Sequence, residues 1–221
     1  MLDHGARIQA EPELIAVADN VPPTDIPRQK LTGELLLRGQ LWDRALAVFR
    51  SVLAADPGDA EALAGAGTAA FHLIEFPQTV EYLSKLPREK LSDPQIAEML
   101  ETSEQVLADD PFLGGLSPEE KAARTSRALA LAESRAEQCA KQRGESLDAN
   151  PPASDLQKQI AQSTAMKRAW SERMLARFPD RLNDAMALAF QMENAANVCG
   201  PPQGADRALS LLGQTRAGAN Q

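Results

Sequence analysis

The chain has 221 residues, a net charge of −8 and a pI near 4.9. An acidic surface of this size repels phosphate backbones, and no Lys/Arg block overrides it, so nucleic acid is excluded as a partner. Two Trp, one Tyr and six Phe in an Ala- and Leu-rich chain suit helix-on-helix packing, and the lack of long alternating Val/Ile/Thr runs argues against a sheet.

Residues 1–24 read as a flexible N-terminal arm. They carry Asp3, Glu11, Glu13 and Asp19 without an apolar core, unlike a secretory signal. A short amphipathic turn is expected around Leu14 to Val17, and Pro22-Pro23 then imposes extended backbone. Asp25 or Thr24 can cap the next helix, with Pro27 in its first turn.

Helices are expected at about 26–39, 42–55, 59–73, 76–86 and 93–108, the last carrying Ile96, Met99, Leu100, Ser103, Val106 and Leu107 at helical spacing. Two stretches within this region share one pattern. Gly33, Leu36, Ala45, Phe49, Val52 and Pro57 recur one repeat of about 34 residues later as Gly67, Ala70, Thr79, Leu83, Leu86 and Leu91. Each stretch is a helical hairpin with a small residue at the crossing, unable to bury its apolar face alone.

This pattern resembles the tetratricopeptide repeat family over roughly residues 26–93. Gly33 and Gly67 match its close helix crossing, Ala45 and Phe49 its second helix, Pro57 its closing proline, and Trp42 and Phe76 its aromatic start to the second helix. The sequence departs at Thr79, at Leu91, and at Gln40 and Ile74, which replace the turn glycine. The resemblance implies a concave surface that holds another protein. By it, Lys30, Leu31, Glu34, Leu37 and Arg38 in repeat one, and Ala64, Gly65, Thr68, Phe71 and His72 in repeat two, line a partner-binding groove. Lys30 matches one residue of a carboxylate clamp used in the family, but Glu34 stands where its asparagine is expected and would repel a carboxylate.

Asp109-Asp110-Pro111 and Gly114-Gly115 break the chain, dividing a repeat region at 25–110 from a C-terminal bundle at 117–213. Ser117-Pro118-Glu119-Glu120 is a strong helix start, and that helix runs to about Arg143 with a seam of Ala122, Thr125, Leu129, Ala132, Ala136 and Cys139. One helix is expected from Ser154 to about Arg177, with Leu156, Ile160, Trp170 and Met174 inward. The basic stretch Lys167, Arg168, Arg173 and Arg177 reads as a solvated face. Helices follow at about 181–198, burying Leu182, Ala185, Met186, Ala189, Phe190 and Ala196, and at about 204–213, with a frayed tail at 214–221.

His4 and His72 are the only histidines, and no His/Cys spacing forms a metal site. No nucleophile elbow, phosphate loop or dinucleotide fingerprint is present, so no cofactor, metal or catalytic residue is expected. Cys139 and Cys199 both continue apolar seams, on helices two apart in an up-down array and hence near one end of the stack. A disulfide between them is sterically feasible and worth several kcal/mol. The alternative is two buried thiols behaving as small apolar side chains.

The expectation is therefore an all-α chain: a short tetratricopeptide-like array continued or capped by a helical bundle. Its role is a non-catalytic scaffold, adaptor or accessory subunit binding one or more proteins. Two alternatives stand beside it, an assembly or secretion-type chaperone and a thiol-based redox protein. No apolar run reaches the ~20 residues of a membrane span, which is compatible with a membrane-associated complex. The expected location is cytoplasmic, or periplasmic if a leader was removed and Cys139–Cys199 is a disulfide.

Overall fold

The computed structural model describes residues 4–22, 24–148 and 150–218. Among them there is no strand, and the chain forms twelve α-helices. It divides into two compact units, Met1–Glu104 and Gln105–Gln221. That division falls inside one helix, ahead of the Asp109–Gly115 loop expected from the sequence.

In the first unit, α1 (His4–Asn20), α2 (Ile26–Arg38), α3 (Trp42–Ala55), α4 (Ala60–His72), α5 (Phe76–Leu83), α6 (Arg88–Leu91) and the start of α7 (Pro94–Asp109) follow in order. The flexible arm is a misreading over the described residues: α1 is a helix, with Pro12 inside it. Leu14 and Ala18, one turn apart, pack against the first core, and Asp19 pairs with Arg44 at 2.7 Å. Two apolar residues at one helical spacing suffice to dock it. Met1 to Asp3 and Pro23 lie outside the described residues.

The repeat is visible in the atoms. Asp25, Asp59 and Asp93, thirty-four residues apart, stand before α2, α4 and α7, and their carboxylates accept from the N–H groups of Arg28, Ala62 and Gln95. Gln40 and Ile74 hold φ of 59° and 65°, the left-handed turn where glycine is favoured. At the crossings the absent side chain is filled by its neighbour. A Cβ on Gly33 would lie 2.6 Å from the Phe49 ring, and one on Gly67 would lie 2.3 Å from Leu83. Phe49 and Leu83 are themselves one repeat apart. The same Phe49 ring also meets Gly65, where a Cβ would lie 2.3 Å away. Two cores result: Leu36, Ala45, Leu46, Phe49, Val52, Ala62, Ala66 and Ala69, then Leu63, Leu83 and Leu86 with Ile96, Met99 and Leu100 of α7 against them.

The second unit contains the end of α7, α8 (Pro118–Gln142), α9 (Asp155–Ala169), α10 (Glu172–Arg177), α11 (Pro179–Ala196) and α12 (Gly204–Gly218), with a 3-10 turn at Asn197–Cys199. Capping boxes start two of these helices. Ser117 and Glu120 bond reciprocally at α8, as do Ser154 and Gln157 at α9. The α8 seam expected from sequence is buried throughout, facing Ala185, Met186, Ala189, Met192 and Ala196 of the closely packed α11. The single helix expected over 154–177 is instead two. Trp170 adopts extended backbone (φ −118°, ψ 126°), and Trp170 and Met174 are only half-buried. Phe190 is likewise half-buried, and the tail called frayed remains helical to Gly218. Arg216 explains that extension, pairing with Asp110 at 3.0 Å and lying 4.4 Å from the Phe112 ring centroid. Residues 219–221 lie outside the described residues.

Candidate interaction site

The groove residues divide into exposed and structural ones. Leu31, Glu34, Arg38 and His72 reach solvent. Lys30 does not present a free cation: its Nζ lies 2.5 Å from Glu61 and 3.0 Å from Asp59. These two carboxylates hold its pKa above the usual lysine value, Glu61 most strongly and then Asp59. Burial pushes Asp59 up, but the Ala62 N–H and Lys30 outweigh it and leave its carboxyl below the usual range. Lys30 thus fastens α2 to the start of α4, and a clamp for an incoming carboxylate is not available from it.

Phe71 is buried, edge-on to Phe76 with centroids 6.0 Å apart, and belongs to the interior rather than to a groove. Leu37 packs against the first core and Ala64 against the second. The Thr68 hydroxyl donates back to the Ala64 carbonyl at 2.8 Å. Gly65 is taken up by the Phe49 ring. His72 stacks on Trp42 of the preceding hairpin, with centroids 3.9 Å apart and planes 11° from parallel. Sequence reasoning missed this stack because it joins positions in different repeats that no single periodicity links.

In the second unit Cys139 and Cys199 form a disulfide with Cα atoms 5.6 Å apart. One turn before Cys139, Arg135 makes a second tie to the same segment. It donates to the Glu193 carboxylate, to the Glu193 carbonyl at 3.0 Å, to Asn197 Oδ1 at 3.0 Å and to the Gly200 carbonyl at 2.9 Å. Glu193 is 1% exposed. Burial pushes its carboxyl up to about 7 against the pull of Arg135, and Asp206 adds to the rise. Burial also raises Asp206, again opposed by Arg135. Here the arginine compensates an interior carboxylate and anchors the chain leaving α11. Its sequence signal was faint: Arg135 is one polar residue beside a seam of alanines.

Among the described residues no group of three or more His, Cys, Asp or Glu side chains is placed to hold a metal ion. No helix among them is long and apolar enough to cross a membrane. No family model, curated protein or solved structure matches the chain.

Proposed function

We propose that the protein is a non-catalytic interaction module, a scaffold, adaptor or accessory subunit on tetratricopeptide-like hairpins, whose protein partner lays an apolar segment along the first half of α2. Leu31 carries this reading. It is 57% exposed. One repeat on, the corresponding position is Gly65, seated on the Phe49 ring of the preceding helix. Two repeats on it is Met99, packed against Leu63, Leu83 and Leu86. The position that receives a neighbour in α4 and α7 has none in α2 among the described residues, and α1 docks through Leu14 and Ala18, with Leu14 reaching Gly39 at the other end of α2. Glu34 and Arg38, also exposed, offer polar contacts flanking that seat.

A client-holding chaperone would instead need a deep apolar groove, and the burial of Phe71 and the packing of half-buried Leu37 against the first core leave little for one. The Cys139–Cys199 disulfide favours an oxidising compartment such as the periplasm or another envelope space. Alkylating the thiols of the protein in its native source before lysis tests this, since a fully labelled pair would place it in a reducing compartment. The binding proposal is tested by affinity capture from the native source with wild type and Leu31→Asp. Loss of a stoichiometric companion, with far-UV circular dichroism unchanged, supports it. Equal capture by both would remove the α2 edge as the contact.

A further inference from the structure

The basic stretch at 167–181 is not one solvated helix face. The chain turns at Trp170 and again at Phe178, so α10 is a short corner piece between two breaks. Lys167 is committed to Glu133. Arg168, Arg173, Arg177 and Arg181 have no carboxylate partner among the described residues, although Glu172 and Asp180 lie in the same stretch. Arg181 instead lies over two rings, 5.5 Å from the Trp170 centroid and 4.9 Å from that of Phe178, and Arg177 is 5.6 Å from Phe178. Phe178 is 41% exposed. In a chain of net charge −8, this corner holds positive charge that the protein leaves uncompensated.

The inner side of the same corner is mostly apolar, with Asn183 and the Asp110-paired Arg216 among its polar lining. Leu175 of α10, Pro179 and Leu182 of α11, and Pro111 and Phe112 help line a cavity of about 440 Å³. Lys121 also lines it, and its ammonium has no partner among the described residues. In α10, Arg173 and Arg177 are exposed, and Leu175 and Ala176 between them line the cavity.

We propose that this corner docks an acidic protein segment carrying an apolar anchor residue. The anchor enters the cavity, and the flanking carboxylates pair with Arg173, Arg177 and Lys121. Planar guanidinium groups match carboxylates bidentately, and an apolar pocket beside exposed arginines suits a segment with one apolar anchor among acidic residues. A flat anionic membrane fits less well, since Glu172 and Asp180 would face its headgroups, while separated carboxylates on a peptide pass between them. This site is independent of the α2 edge and lies in the other unit.

The test uses the full chain with Trp42→Phe, which leaves Trp170 as its only tryptophan. The probe is a synthetic peptide with glutamates flanking a central Leu-Phe pair. Controls are the same peptide with glutamine for glutamate, one with serine for Leu-Phe, and vesicles rich in phosphatidylserine. We expect saturable change in Trp170 emission with the first peptide only. Affinity should weaken about tenfold in Arg173→Glu/Arg177→Glu, two exposed pairs being worth roughly that, and should fall with added salt. Ala176→Phe, which places a ring in the cavity, should weaken binding with unchanged circular dichroism. The proposal is overturned if the peptide gives no saturable response or the glutamine peptide binds equally. Unchanged affinity in the double arginine variant, or a response to vesicles alone, would overturn it as well.

Discussion

Replacing Gly65 with alanine separates two physical effects that usually act together. Alanine inside a helix is favoured over glycine by about 1 kcal/mol, so propensity alone predicts a more stable α4. The new Cβ, however, would lie 2.3 Å from the Phe49 ring, well inside ordinary contact. That ring is 1% exposed and also packs closely against Gly33, so it has little room in which to move. Overpacking of this kind costs about 1–3 kcal/mol, and the balance is a net loss of about 1 kcal/mol. Because the chain has two units, the assay must report one of them. In a Trp170→Phe background, Trp42 fluorescence follows the first unit, and the urea midpoint should fall without change in slope. Adding Phe49→Leu should then cost less in the Gly65→Ala background than alone, because the smaller side chain makes room for the methyl. A higher midpoint for Gly65→Ala, or strict additivity with Phe49→Leu, would refute the close crossing.

Gln40→Gly should raise that midpoint, by a stability gain of about 0.5–1 kcal/mol, since Gln40 is exposed and held at positive φ; a loss of stability would show that its side chain contributes packing. Reduction, or Cys139→Ser/Cys199→Ser, should cost the second unit about 4 kcal/mol for a bridge across 60 residues, read by Trp170, while the transition seen by Trp42 stays in place. Glu193 sets a pH dependence whose sign is fixed. Its folded pKa of about 7 lies above its unfolded value, so the folded state keeps a proton that the unfolded chain has released, and stability falls as pH rises from about 4.5 to 7, by up to about 3 kcal/mol. Glu193→Gln should flatten that slope in chemical denaturation followed by Trp170, and an unaltered slope would assign it to other groups.

Helix identity was legible wherever seams were regular, as in α8, where every apolar position read from 122 to 139 is buried. The repeat was legible because the glycine and its partner, 33 with 49 and 67 with 83, lie at one separation in both hairpins. The groove was not. Its residues came from a family pattern, and whether Phe71 faces a partner or Phe76 depends on how the next helix packs, which one sequence does not encode locally. α1 was missed because, among its described side chains, Leu14 and Ala18 alone pack against the first core, among charges typical of a solvated arm. The break at Trp170 had no proline or glycine to announce it. Arg181 stacked over both Trp170 and Phe178 shows an interaction eleven residues long in sequence that no helical spacing predicts.

The Phe49 ring has a consequence for how this array can change in length. Its seat is shared between Gly33 of its own hairpin and Gly65 of the next. At the following joint the sizes are exchanged, with Leu83 in place of the ring and Met99 in place of Gly65. The two hairpins are therefore not interchangeable units. Copying residues 60–93 in tandem would set a leucine against a glycine and open a void, and copying 26–59 would drive the phenylalanine ring into Leu31. Lengthening the array therefore requires a compensating substitution at the new joint, phenylalanine for Leu83 in the first case or glycine for Leu31 in the second, so duplication alone leads to a poorly packed chain.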